Sequence, residues 1–141
     1  FSFPTPDELA GASEAQLTSL GLGFRARRVS DAAQAVAGGQ IDLMALREAS
    51  YDEALRELTT LDGVGDKVAN CAMLFSLDKL EAFPVDVWID RDLREWCLEG
   101  LHISSSRVKM REWAQKFFGP YAGYANHYMF HDRRLRNKPQ L

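Results

Sequence analysis

The chain lacks the residues that several common functions require. It holds two cysteines, Cys71 and Cys97, with no CxxC spacing. That is too few thiols for a four-cysteine zinc or iron–sulfur centre, so no metal is expected. Both cysteines fall in helical patterns and read as reduced intracellular thiols. No apolar run reaches the roughly 18 residues a membrane-spanning helix needs, so no membrane association is expected. No basic-then-apolar leader is present, so no secretory signal is expected. Positive charge is not in excess: Lys and Arg total 17 against 20 Asp and Glu, for a net charge of −3. This counts against holding nucleic acid by bulk charge. Local contacts stay possible, because attraction is screened only beyond about 8 Å at physiological salt. Convincing alternating strands are absent, and no segment repeats the residues of another, which argues against a sheet and against a solenoid. The chain begins with Phe1 rather than methionine, as expected of a fragment, a processed product or a trimmed chain.

What is present is helical punctuation. With 141 residues and 46% hydrophobic content, a single domain or a piece of one can bury a core. Thr5–Pro6–Asp7–Glu8, Ser13–Glu14–Ala15–Gln16 and Ser50–Tyr51–Asp52–Glu53 read as capping boxes. Gly21 can stop the second helix. An Ala-rich helix is expected from Phe24 to the glycines at 38 and 39, and a short one after Asp42. A turn at 61–65 separates the helix after Ser50 from one running from Lys67 to about Leu77. Asp86 can cap a helix to about Trp96, the serines at 104–106 open another that ends near Gly119, and Pro120 starts the last, reaching about Arg133 before a basic, frayed tail. The expectation is an all-α fold of about eight short helices with no visible linker.

The segment LDGVGDKVANC, residues 61–71, carries the first chemical signal. Gly63 and Gly65 permit positive φ and a sharp turn around Val64. The backbone N–H groups at such a corner, with the dipole of the following helix, form an anion site that needs no basic side chain. The plainer reading is a tight corner with no ligand. Lys67, Cys71 and Phe75 are spaced i, i+4, i+8 and share roughly one helix face. Cys71 and Phe75 make that face apolar, so it is expected to be buried or to line a cleft. A lysine there loses hydration, which favours a neutral, nucleophilic amine suited to Schiff-base chemistry. The alternative is a charged lysine that snorkels to the surface. Asp86, in FPVDVWI, is a helix cap on the plain reading; at a cleft edge its carboxylate could also steady positive charge on a sugar ring.

The stretch LTTLDGVGDKVANCAMLFSLDKLEAFPVDVWI resembles the helix–hairpin–helix, Gly-Pro-Asp superfamily of base-excision DNA glycosylases, and within it the 8-oxoguanine DNA glycosylase/lyase branch. Residues 3–29 and the block FFGPYAGYANHYMF at 117–130 are similar to that branch in the same order. The endonuclease III-like branch carries a four-cysteine cluster that is absent here. Adenine-specific and alkylation-repair members generally lack a lysine at the position of Lys67.

The resemblance implies an all-α multi-helix glycosylase fold over residues 1–141, with a helix–hairpin–helix at about 51–77, a terminal helix and tail at about 120–141, and the family's N-terminal part lying outside this chain. It implies a bifunctional enzyme that removes oxidised guanine and cuts the abasic strand, without a cofactor. Its partner would be double-stranded DNA containing an oxidised purine, inside the cell (nucleoid or nucleus), with no obligate protein partner. Lys67 would attack C1′, and Asp86 would stabilise the oxocarbenium-like transition state. Cys71 and Phe130 would flank the flipped purine with Phe75 in the pocket wall. Asn126 stands where the family usually has a glutamine that meets the purine's pairing edge. Phe24 would wedge into the duplex beside Arg25, which would contact the orphaned cytosine. Gly63, Val64, Gly65 and the neighbourhood of Trp88 would meet the DNA backbone, although Trp88 replaces a histidine found in animal members. His127 and His131 read as surface residues. A non-catalytic helix–hairpin–helix DNA-binding fragment is the alternative.

Overall fold

The computed structural model describes residues 2–97 and 106–136, in which every regular element is a helix or helical turn. The chain divides into two compact units, residues 1–64 and 65–141. The division falls inside the Gly-Val-Gly turn.

In the first unit the helix starts are set by local side-chain chemistry. Helix α1 (Pro6–Ala10) begins at Thr5, whose side chain accepts the Glu8 N–H while the Glu8 carboxylate accepts the Thr5 N–H at 2.8 Å. Ser13 and Gln16 do the same for α2 (Glu14–Leu17). Helix α2 widens into a π-helical turn over Thr18–Leu22, where Gly21 adopts φ +86°. A 3₁₀ turn, Gly23–Arg25, leads into α3 (Ala26–Ala37), so the Ala-rich helix starts two residues later than its composition suggests. Helix α4 (Leu43–Glu48) is capped by Asp42, whose Oδ1 accepts the Met44 and Ala45 N–H groups. Helix α5 (Tyr51–Leu58) opens on the Ser50–Glu53 capping box. Each such cap is worth about 1 kcal/mol. Helix α1 packs on α3, and Leu17, Ala26, Ala33, Ile41, Leu46, Ala54 and Leu58 are buried.

The second unit contains α6 (Asp66–Ser76), α7 (Val87–Asp92), α8 (Arg107–Phe118) and α9 (Ala122–Arg136). A π-helical turn, Leu93–Cys97, extends α7, and a 3₁₀ turn, Gly119–Tyr121, joins α8 to α9. Of the serines expected to open α8, Ser106 is its N-cap residue, without a side-chain cap bond, and the other two lie outside the described residues. The last helix runs three residues beyond the expected Arg133, so the start of the basic tail is helical; residues 137–141 lie outside the described ones.

The core joins Phe83, Val85, Ile89, Leu93, Met110, Ala114, Ala122 and Met129, with Trp113 and Phe118 packed against it. Phe83 stacks on Phe118 at a centroid distance of 5.9 Å. Side chains of this size contribute about 1.5–3 kcal/mol each when fully buried. The Asp92 carboxylate is fully buried, with Arg133 Nε at 3.0 Å and Arg136 Nη2 at 3.5 Å. Burial pushes this carboxyl above its usual range, and the two guanidinium groups pull it back. No described helix is long and apolar enough to cross a membrane.

Helix α9 approaches the segment before α7 through Gly123, whose N–H donates to the Leu80 carbonyl at 2.8 Å. A Cβ at Gly123 would overlap Leu74 and fall 2.9 Å from the Leu80 carbonyl oxygen. Ala in place of Gly gains about 1 kcal/mol of helix propensity, but overpacking costs about 1–3 kcal/mol. The carbonyl cannot rotate away as a side-chain tip can, so overpacking wins. Gly123→Ala is expected to lower stability by about 1 kcal/mol or more in denaturant titration; unchanged or increased stability would contradict this packing.

Candidate active site

The turn is built from both ends. In the first unit the Val64 N–H donates to the Leu61 carbonyl at 3.0 Å, and Gly63 has φ +78°. A Cβ at Gly63 would overlap the side chain of Arg28, whose Nε lies 3.4 Å from Asp62 Oδ2. Gly65 has φ −91°, so only Gly63 of the pair uses the left-handed region that both permit. The Val64 N–H is engaged within the turn.

In the second unit Gly65 is the N-cap of α6, no side chain caps that helix, and the space around Gly65 is open. The first N–H groups of an uncapped helix have no intrahelical partner, so this end can accept an anion. The acid in the first turn, Asp66, is paired with Arg111 Nε at 3.0 Å, which offsets its repulsion of any anion at this end.

A cavity of about 220 Å³ opens in the same unit. Helix α6 contributes Lys67, Cys71 and Phe75; the segment into α7 contributes Pro84, Asp86 and Ile89; α9 contributes Asn126, His127 and Phe130. The i, i+4, i+8 spacing on α6 and the i, i+4 spacing of Asn126 and Phe130 thus converge on one space. Its walls are mainly apolar, with a cation and a carboxylate brought in from different elements.

Depth differs from expectation. Lys67 is exposed, Cys71 is half-buried, and Phe75 is 63% exposed. The face of α6 lines a cleft, but the burial expected for Lys67 is absent: the helix wheel places it on the apolar side, and its position in the first turn leaves it at the rim. Asp86 is half-buried, and its Oδ1 accepts the N–H groups of Trp88 at 2.8 Å and Ile89 at 2.9 Å. One carboxylate oxygen therefore caps α7, and among the described residues no hydrogen bond occupies Oδ2. The cap and the cavity carboxylate are the same group.

Asn126 is buried, and its Nδ2 donates to the Pro84 carbonyl at 2.8 Å. One amide N–H is thus anchored to backbone, which leaves Oδ1 and the second N–H of the side chain for other partners. Phe130 is 39% exposed. Phe24 and Arg25 sit in the first unit; Phe24 is 75% exposed, with the Arg25 guanidinium 4.6 Å over its ring. Trp88 is partly exposed in the first turn of α7 and is not among the cavity-lining residues. His127, assigned nothing from sequence, lines the cavity and meets Phe75 edge-on at 6.0 Å. Its place three residues before Phe130 on α9 was the available signal. Among the described residues, no three His, Cys, Asp or Glu side chains are grouped to hold a metal ion.

The family model for HhH-GPD superfamily base excision DNA repair proteins matches residues 1–118. The chain belongs to this family. It is 32% identical to a probable N-glycosylase/DNA lyase of Methanothermobacter thermautotrophicus, over 94% of this chain and 47% of that protein. It is 35% identical to the N-glycosylase/DNA lyase OGG1 of Arabidopsis thaliana, over 91% of this chain and 37% of that protein. Among solved structures it is similar to MBOgg1 in complex with a low-affinity DNA ligand, with a TM-score of 0.88 and 36% identity, covering 98% of this chain and 47% of MBOgg1. It is also similar to the 8-oxoguanine glycosylase/lyase of Clostridium acetobutylicum bound to double-stranded DNA containing cytosine opposite 8-oxoguanine, with a TM-score of 0.86 and 32% identity, covering 98% and 47% of the two chains. The HhH-GPD chain described here spans less than half the length of each of these relatives.

The two roles of Asp86 can be separated. Asp86→Ala loses the cap and is expected to cost about 1 kcal/mol, whereas Asp86→Asn keeps a capping oxygen and is expected to stay within about 0.5 kcal/mol of the parent. Thermal denaturation of the two variants checks this. Equal losses would show that charge rather than capping geometry supports α7.

Proposed function

We propose that the protein is a base-excision DNA glycosylase with abasic-site lyase activity, removing oxidised guanine from double-stranded DNA in the cell through a lysine Schiff base. The observation that carries this reading is the convergence of Lys67 and Asp86, from α6 and from the N-cap of α7, on one apolar-walled cavity. Membership of the base-excision family supports it. So do the glycosylase/lyase names of the relatives.

In this reading the duplex docks a phosphate on the uncapped end of α6. The damaged nucleotide swings into the cavity, which costs a few kcal/mol of stacking and pairing. Cys71 and Phe130 flank the purine, Phe75 closes the wall, and Asn126 offers Oδ1 and the N–H not bonded to Pro84. Phe24 fills the vacated space and Arg25 meets the opposite cytosine, while Trp88 flanks the strand. As the glycosidic C–N bond breaks, the base leaves with the electron pair, and Asp86 Oδ2 faces the positive charge that builds on the sugar. The amine of Lys67 forms the N–C1′ bond; a proton passes from the nitrogen to O4′ as the C1′–O4′ bond breaks, which opens the ring and gives the protonated imine. Removal of a C2′ proton then expels the 3′ phosphate, cutting the strand. Since Lys67 stands at the rim, the DNA itself supplies the cover that strips water from the amine. Electrostatic effects strengthen once water is excluded.

Borohydride reduction during reaction with 8-oxoguanine duplex is expected to trap a covalent protein–DNA complex, resolved by denaturing electrophoresis. Lys67→Gln is expected to abolish the trapped species while retaining salt-dependent DNA binding. Trapping that survives this substitution would remove Lys67 as the nucleophile.

A further inference from the structure

The segment that delivers Asp86 has no regular structure of its own, and side chains from three helices hold it. Gln115 Nε2 of α8 donates to the Glu81 carbonyl at 2.9 Å. The Phe83 N–H donates to Asn70 Oδ1 of α6 at 3.2 Å. Asn126 Nδ2 of α9 donates to the Pro84 carbonyl at 2.8 Å. Asn70 is fully buried, and its Nδ2 donates to the carbonyl of Asp66, the residue before Lys67, at 2.8 Å. Asn70 therefore bridges the turn of helix that bears Lys67 and the backbone three residues before Asp86.

Asn70 is an unusual choice inside a helix. Its side chain competes with the backbone for hydrogen bonds, which disfavours helix interiors. It is not among the residues lining the cavity. Packing alone would be served by an apolar side chain. The Phe83 N–H is buried, and without a partner the backbone there must move to find one.

We infer that Asn70 is a positioning residue for the reaction proposed above: it fixes the Asp86 carboxylate relative to the Lys67 amine without touching substrate. Misplacement of a reacting group by about 1 Å is enough to cost about a hundredfold in rate. The inference rests on the glycosylase reading, and the experiment separates their failures.

Single-turnover release of 8-oxoguanine and duplex affinity are measured for the parent, Asn70→Ala, Asp86→Asn and the double variant. Asn70→Ala is expected to slow base release by about tenfold or more, with affinity within about threefold of the parent. Because Asn70 acts through Asp86, the double variant is expected to be no slower than Asp86→Asn within about threefold. Asn70→Asp, which keeps an acceptor for the Phe83 N–H, is expected to recover part of the rate lost in Asn70→Ala. If Asn70→Ala does not fold, Asn70→Ser takes its place in the same cycle. Losses that multiply in the double variant, or an affinity loss equal to the rate loss, would overturn the positioning role and leave the glycosylase reading intact. A folded parent that releases no base removes both.

Discussion

The structure turns on how an irregular segment is held against a helix. Residues 78–86 supply Asp86, yet they form no regular element before the start of α7. Buried backbone polar groups must be satisfied. Here the partners include Asn70, Gln115, Asn126 and the Gly123 N–H. Each bond alone is worth about 1 kcal/mol, but an unmade one inside the core costs about 1–3 kcal/mol. The segment therefore has few ways to shift. Its rigidity passes to Asp86, whose Oδ1 is pinned to two helix N–H groups, so Oδ2 is placed by the fold rather than by its own torsions.

Charge follows the same economy. A chain of net charge −3 meets a polyanion best where backbone dipoles and single placed cations do the holding. The open N-terminus of α6 is such a place, and the pairing of Asp66 with Arg111 keeps the nearby acid from opposing it. Lys67, one residue further on, combines a rim position with access to the cavity. In the proposed function, that exposure lets it meet DNA, and the apolar residues behind it shape the space that DNA would close.

Much of this was legible in the residues. Thr5, Ser13, Asp42, Ser50 and Asp86 each announce a helix start, because capping is a local bond between neighbours in sequence. The shared face of Lys67, Cys71 and Phe75 follows from helical period alone. Other features were not legible because they depend on depth and distance. A helical wheel gives the side of a helix but not how far the protein rises around it, hence the unexpected exposure of Lys67. The bond from Asn126 to Pro84 spans 42 residues, and nothing local to Asn126 signals that its amide is anchored to backbone. Gly65 has a glycine's freedom but an ordinary φ, so composition overstated its role. The π-helical turns after Leu17 and Asp92 leave no mark in the hydrophobic pattern.

Lys67 and Asp86 are chemically meaningful only if a sugar can sit between them. A crystal structure of the protein bound to duplex carrying a stable abasic-site analogue tests this most directly. The expected result is the analogue's sugar in the cavity, with its C1′ equivalent about 3–3.5 Å from Lys67 Nζ and Asp86 Oδ2 turned toward the ring while Oδ1 keeps its two helix N–H groups. A sugar bound elsewhere on the chain, or Oδ2 facing solvent with the cavity empty of DNA, would contradict it.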